Sequence, residues 1–187
     1  MDGLYAPWRL AYVKGAAASE VVPAPSGCIF CDYVLPRGAP SPRADERDGD
    51  RRTFDRRRLV VTVRERAFVI LNKFPYGVAH AMVVPRVHVE HLDALDEDTF
   101  HATQALLRET VRVVREEYRP DGVNVGMNVG AAAGAGIAAH CHWHVLPRWT
   151  GDVNFLPALA NVKVLNEALA DTWERLARRL RHADEDS

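Results

Sequence analysis

The 187-residue chain is 48% hydrophobic and 26% charged with a formal net charge of −1, a composition that fits one globular domain with a full core and excludes a disordered or fibrous chain. A balance so near neutrality offers no global attraction to nucleic acid or an anionic membrane, so any bound anion must be held by a local site. No apolar run approaches the roughly 20 residues of a membrane span, three cysteines are too few for a disulfide scaffold, and the start Met1-Asp2-Gly3-Leu4-Tyr5 lacks the stretches of a signal peptide, so a cytoplasmic protein is expected.

Residues 1–27 read as an arm: Pro7-Trp8-Arg9, then a proline-rich connector of small residues, leading to the turn Gly27-Cys28-Ile29-Phe30-Cys31. From about 36 to 58 the chain is rich in Arg, Asp, Pro and Gly with almost nothing apolar to anchor it, which predicts a solvated, mobile insertion within the single domain 1–187. Its arginines are largely cancelled by Asp45, Glu46, Asp48, Asp50 and Asp55, so a phosphate-binding patch is the weaker reading.

Apolar runs at 59–63, 67–71 and 81–84, with Pro75-Tyr76-Gly77 turning between the last two, predict antiparallel strands. Asp96 is placed to cap a helix that carries Phe100, Thr103, Leu107, Val111, Val114 and Tyr118 at three- and four-residue steps and ends at Pro120. Next, Val123, Val125, Met127 and Val129 alternate with Asn124, Gly126 and Asn128, predicting a strand with one apolar and one polar face. A flexible turn follows, from Gly130 through Gly134 to Gly136, and a last amphipathic helix carries Leu165, Leu169, Trp173, Leu176 and Leu180.

Between that turn and the last helix lies His140-Cys141-His142-Trp143-His144-Val145. On a strand, His140, His142 and His144 form one row while Cys141, Trp143 and Val145 face a core. A lone histidine would read as a satisfied structural residue, but three on one face carry several nitrogens that each need a partner, so the row reads as a site. Imidazoles in a row can bind metal or act as nucleophiles. A metallohydrolase centre is disfavoured, because no acidic residue lies between Asp121 and Asp152. Just upstream, Gly134 and Gly136 let backbone N–H groups approach an anion, and Asn128 adds an amide, so phosphate is the expected ligand. Cys28 and Cys31 have the spacing of two thiolate ligands of a tetrahedral zinc, the alternatives being a redox pair or two buried thiols.

The run His140-Cys141-His142-Trp143-His144-Val145-Leu146 resembles the signature of the histidine triad (HIT) family, alternating histidine with hydrophobic residues. The resemblance takes in the Gly27 to Cys31 entry, Asn72, Pro75 and His80, the turn Pro85-Arg86-Val87-His88, and Asn128 to Gly130. Pro7-Trp8-Arg9 and the run from Pro147 through Trp149 to Phe155 look like the bacterial branch that degrades diadenosine tetraphosphate by hydrolysis or phosphorolysis. What the resemblance implies is an α+β fold, an antiparallel sheet with two main helices, in a homodimer that binds a nucleoside phosphate or dinucleoside polyphosphate. It implies His142 as the nucleophile that becomes nucleotidylated, His144 as its assistant, Asn72 and Asn128 at ribose or phosphate, and Phe30 and Ile70 as walls of a base pocket. Zinc-containing members complete the Cys28 and Cys31 pair with residues at the positions of His88 and His140, so structural zinc is expected. One departure is that relatives carrying serine or glutamine shortly before the triad contrast with Ala135, Gly136, Ile137, Ala138 and Ala139 here. A nucleotide-binding regulatory module with incidental phosphoramidase activity is the alternative that this departure supports.

Overall fold

A computed structural model describes residues 26–34, 55–152 and 166–182. Pro7-Trp8-Arg9, most of the 36–58 stretch, Phe155 and Leu165 lie outside the described residues. In chain order the elements are α1 (Ile29–Tyr33), β1 (Val60–Val63), β2 (Ala67–Leu71), β3 (Ala81–Pro85), α2 (Glu97–Tyr118), β4 (Gly122–Met127), β5 (Trp143–Arg148) and α3 (Leu169–His182), with 3-10 turns at Leu92–Ala94 and Ala131–Ala133. The five strands form one sheet in the order β1-β2-β3-β5-β4, every pair antiparallel. No described helix is long and apolar enough to cross a membrane.

β2 and β3 read as unbroken apolar runs because both faces of the sheet are covered there. On one face Val61, Val69, Leu71, Val83, Trp143 and Val145 pack with Leu106, Leu107, Val113 and Val114 of α2 and Trp173, Leu176 and Leu180 of α3. On the other face Phe68, Ile70, Met82 and Val84 enclose Cys28, Phe30 and Val34 from the segment around α1.

The α2 cap is as the sequence predicts: the Asp96 carboxylate accepts the Thr99 N–H at 2.9 Å, and Arg119 leaves the helix in the left-handed region (φ 46°) before Pro120. Its most buried stripe differs from the predicted one. Thr99, Thr103 and Thr110 are buried with Leu106, Leu107, Val113 and Val114, whereas Phe100, Val111 and Tyr118 flank the core partly buried. Thr103 and Thr110 enter the core because each hydroxyl donates to the carbonyl four residues back at 2.7 Å, leaving no orphan donor.

Two further expectations need correction. The solvated stretch does not extend to its predicted end, since Asp55 and Arg58 are buried, Asp55 paired with Arg181 at 3.0 Å and Arg58 donating to the Asp32 carbonyl. On β4 the apolar face is only partly covered: Val123 and Met127 pack against the helix-side core, but Val125 and Val129 are exposed, because β4 is an edge strand of the sheet.

Candidate functional site

The histidine row begins before its strand. Regular pairing starts at Trp143, so His140, Cys141 and His142 form a lead-in that bends at His140 and is anchored by the Cys141 N–H donating to the Val89 carbonyl at 2.7 Å. Alternation still holds, since Trp143 and Val145 enter the helix-side core while His144 opposes Met82 on β3. His140 and His142 are themselves buried and His144 is half-buried.

His140 belongs to a cluster rather than to an open surface. Its Nδ1 lies 3.4 Å from Cys28 Sγ and 3.7 Å from Cys31 Sγ, and Cys31 Sγ lies 3.3 Å from His88 Nδ1. All four ligand atoms sit within 4.8 Å of one another and can hold a metal ion. Zinc with sulfur at about 2.3 Å and nitrogen at about 2.0–2.1 Å in a tetrahedron sets adjacent ligand atoms about 3.5 Å apart; three pairs of the set already stand at 3.3–3.7 Å, and the wider ones close by a small inward shift. The rest of His140 agrees: its Nε2–H donates to the Pro85 carbonyl at 2.8 Å, which leaves Nδ1 as the lone-pair nitrogen aimed at the thiols. Burial, aided by the charges of His88 and His142, pushes its pKa down to about 4, so it stays neutral as a ligand must. Burial and the adjacent Cys28 push the Cys31 thiol up to about 11; a divalent cation between the sulfurs is the group that reverses that shift. Cys28 and His140 form the buried side of the cluster, Cys31 and His88 its accessible side.

His142 is held differently. Its Nδ1 lies 2.9 Å from the carbonyl oxygen of His140, and because a carbonyl only accepts, Nδ1 carries the proton and Nε2 is the basic nitrogen. The Phe30 ring stands edge-on to both neighbours, 5.1 Å from the His142 ring and 5.4 Å from that of His140.

His144 is reached through His80. The Tyr76 N–H donates to His80 Nδ1 at 3.1 Å, so neutral His80 carries its proton on Nε2 and gives it to His144 Nδ1 at 2.9 Å. Neutral His144 is thereby left with its proton on Nε2. The Tyr76 ring also stacks on His80, with centroids 5.1 Å apart and 24° between planes. Gly77 lets this loop approach β5, since a Cβ there would lie 3.2 Å from Leu146 Cδ1.

The other expected residues are spread around this centre. Phe30 and Ile70 lie in one apolar cluster, but both are almost wholly buried, so partly buried Ile29, Tyr33, Val63 and Ile137 form its margin. Asn72 follows β2, and its side-chain oxygen accepts the Phe74 N–H at 2.9 Å. Half-buried Asn128 follows β4 directly. In the glycine segment Gly134 takes φ +88° and commits its N–H to the Ala131 carbonyl at 3.0 Å, while Gly136 is exposed beyond the 3-10 turn. His80 figured in the sequence only as part of a resemblance with no role, and Tyr76 only as a turn residue. No local pattern links either to His144, because the link is made by sheet register.

Comparison with known proteins agrees with this architecture. A Mycobacterium tuberculosis protein described as an AP-4-A phosphorylase is 39% identical over 123 residues, which span 66% of this chain and 63% of that relative's length. A solved histidine triad nucleotide-binding protein from Sulfolobus tokodaii superposes with a TM-score of 0.53 at 26% identity, covering 68% of this chain and 84% of its own. A solved zinc-bound histidine triad family protein from Mycobacterium smegmatis shares the fold, with a TM-score of 0.61 at 23% identity over 87% of this chain and 99% of its own. The pattern of the HIT domain matches residues 55–151, more than half of the sequence, and the chain belongs to the HIT domain family.

Proposed function

We propose that this protein is a nucleotidyl hydrolase or transferase that cleaves dinucleoside polyphosphates of the diadenosine tetraphosphate type through a nucleotidyl-histidine intermediate. The observation that carries the reading is the tautomer of His142: the His140 carbonyl holds the proton on Nδ1, so the nitrogen left to attack phosphorus is Nε2. Attack forms a P–N bond and breaks a P–O bond, and the departing phosphate oxygen leaves as an anion that accepts a hydrogen bond from His144 Nε2–H, the donor that His80 and Tyr76 have placed there. Water or inorganic phosphate then attacks the same phosphorus, breaks the P–N bond and restores His142. The acceptor decides the product, a nucleoside monophosphate with water or a diphosphate with phosphate. In this reading Asn72 and Asn128 hold ribose and phosphate, Phe30 and Ile70 back the base pocket, Gly134 shapes the turn through its positive φ, and the backbone from Gly136 onward supplies donors to the anion. Cys28, Cys31, His88 and His140 would hold a structural zinc that ties the segment around α1 to the foot of the triad. A homodimer working in the cytoplasm belongs to the same proposal.

One feature favours a second reading, a nucleotide-binding module with incidental activity. Residues 135–139 bring no hydrogen-bonding side chain to the phosphate, and Ile137 packs on an apolar cluster instead. A single assay separates the two: purified protein is given diadenosine tetraphosphate with and without inorganic phosphate, and the products are identified. Turnover within the ordinary enzymatic range of about 1 to 1000 per second, lost in His142→Ala with nucleotide binding retained, is the expected result. Full activity of that variant would overturn the proposal.

A further inference from the structure

We infer that the flat guanidinium of Arg148 is a stacking platform for the base of the far nucleoside of a dinucleoside polyphosphate, at the outer end of a trough that leads away from His144 over the open face of β4 and β5. The inference rests on the substrate class of the proposed function and names where its departing half lies. Trp143 and Val145 enter the helix-side core, so by alternation His144, Leu146 and Arg148 stand in one row on the opposite face. Register on β4 sets Gly126 beside His144, Asn124 beside Leu146 and Gly122 beside Arg148. Gly126 and Gly122 bring no side chain, and a Cβ on either would meet nothing among the described residues within 4 Å, so the β4 side of the row is an open floor. Toward β3 the row is walled, since a Cβ on Gly77 would lie 3.2 Å from Leu146 Cδ1.

At the end of that floor Arg148 is held in one pose before any ligand arrives. Its Nε and Nη2 donate as a fork to the Asp152 carboxylate at 2.6 and 2.9 Å, and Nη1 donates to the Asn124 side-chain oxygen at 2.9 Å. Asp152 is fixed in turn, accepting the Trp149 N–H at 3.2 Å, and the same turn is tied back to the start of β4 by the Thr150 N–H on the Asp121 carboxylate at 2.7 Å. Three of the guanidinium N–H groups are thereby committed, and the Asp152 carboxylate offsets the charge, so little pull on a phosphate remains. Yet the side chain is 41% exposed. What it presents is the face of its plane, the surface with which arginine stacks on a nucleobase. Because the plane is already ordered, a ligand that lands on it does not have to immobilise a long side chain. Position agrees with this role. A strand rise of about 3.4 Å per residue sets Arg148 about 14 Å from His144 along β5, and the bond to Asn124 draws its head back by one register pair. The platform therefore lies about 7 to 14 Å along the strands from His144, beyond the phosphate under attack and in line with a departing polyphosphate chain.

The test compares two ligands that differ at the far end: diadenosine tetraphosphate, and adenosine 5′-tetraphosphate, which lacks the second nucleoside. Calorimetry gives Kd for both on the full chain carrying His142→Ala, which holds the substrate uncleaved, and on the same chain with Arg148→Ala or Arg148→Lys added, with circular dichroism recorded on each. Expected is that either added change lowers the preference for diadenosine tetraphosphate by about 3- to 30-fold, the range of a cationic group held over an aromatic ring. Lysine keeps the charge and can still pair with Asp152 but has no plane, so it separates stacking from charge. A general disturbance of the β4–β5 turn weakens both ligands alike and leaves their ratio where it was. An unchanged or raised ratio in the folded variants overturns the inference, and so does a ratio that alanine lowers and lysine restores, which would assign Arg148 to the phosphate chain. If the ratio responds as expected but the wild-type chain forms no nucleotidyl-histidine, the inference stands and the proposed function falls; turnover of diadenosine tetraphosphate with a ratio indifferent to Arg148 means the reverse.

Discussion

His80 Nε2 and His144 Nδ1 lie 2.9 Å apart across the junction of β3 and β5, and the Tyr76 N–H at His80 Nδ1 sets the direction of the proton between them. Because that direction leaves a donor on His144 Nε2, His80→Ala is expected to lower kcat about 100-fold, the order seen when one donor to developing charge is lost. His80→Gln, whose amide can still donate to His144 Nδ1, is expected to recover part of the loss. Steady-state kinetics on both variants check this, and equal activity of the alanine variant and the wild type would show that the relay is idle.

Trp173 carries much of the packing of α3. It is fully buried against β1 and donates its indole N–H to the Val60 carbonyl at 2.7 Å, with the Arg181 guanidinium 5.1 Å from its ring. Trp173→Ala is expected to cost about 3 to 5 kcal/mol by cavity formation, and Trp173→Phe about 1 kcal/mol, chiefly from the lost indole hydrogen bond, since the Arg181 guanidinium still reaches the Val60 carbonyl at 3.5 Å. Urea unfolding followed by circular dichroism measures both.

In metal-free protein the pKa of His140 lies near 4 against an ordinary 6.5, so between those values the unfolded chain binds a proton that the folded chain refuses. Stability therefore has this contribution above about pH 6.5 and loses it as the pH falls toward 4. The expected result is a melting temperature that declines over this window, with a shallower decline in His140→Gln, whose side chain does not titrate. Zinc should flatten the upper part of the curve, because the bound nitrogen is unavailable to the proton.

The parts of the site legible in the sequence are those that follow local periodicity. Alternation placed His140, His142 and His144 together with Trp143 and Val145 opposite, and the Cys28 and Cys31 spacing announced a ligand pair. Periodicity is blind to register: Met82 opposite His144 brings His80 to the triad, and nothing near either residue reveals it. It is equally blind to edges, which is why Val125 was expected inside and stands 47% exposed. On α2 the three- and four-residue steps picked out Thr103 but passed over Thr99 and Thr110; a hydroxyl that donates to its own helix, as those of Thr103 and Thr110 do, packs almost as an apolar group.

Asn72 offers the sharpest test of how a ligand is held. Its side-chain oxygen is engaged by the Phe74 N–H at 2.9 Å, an Asx turn that shapes the loop toward Tyr76 and His80. The amide NH2 is the wholly uncommitted group that the turn leaves for a ribose hydroxyl, which accepts from it. Asn72→Asp keeps an oxygen for the turn and replaces the donor by a second acceptor; since a hydroxyl can reverse its role, KM is expected to change by no more than about threefold at an unchanged kcat. Asn72→Ala removes turn and contact together, and one lost neutral hydrogen bond of about 1 kcal/mol corresponds to a rise in KM of about five- to tenfold. A fall in kcat as large as the rise in KM would instead mean that the turn positions Tyr76, and through it the His80 tautomer, more than it holds the nucleotide. The two effects separate in the double variant Asn72→Ala, His80→Ala: independent losses multiply if Asn72 serves the ligand alone, and fail to multiply if its turn acts through His80.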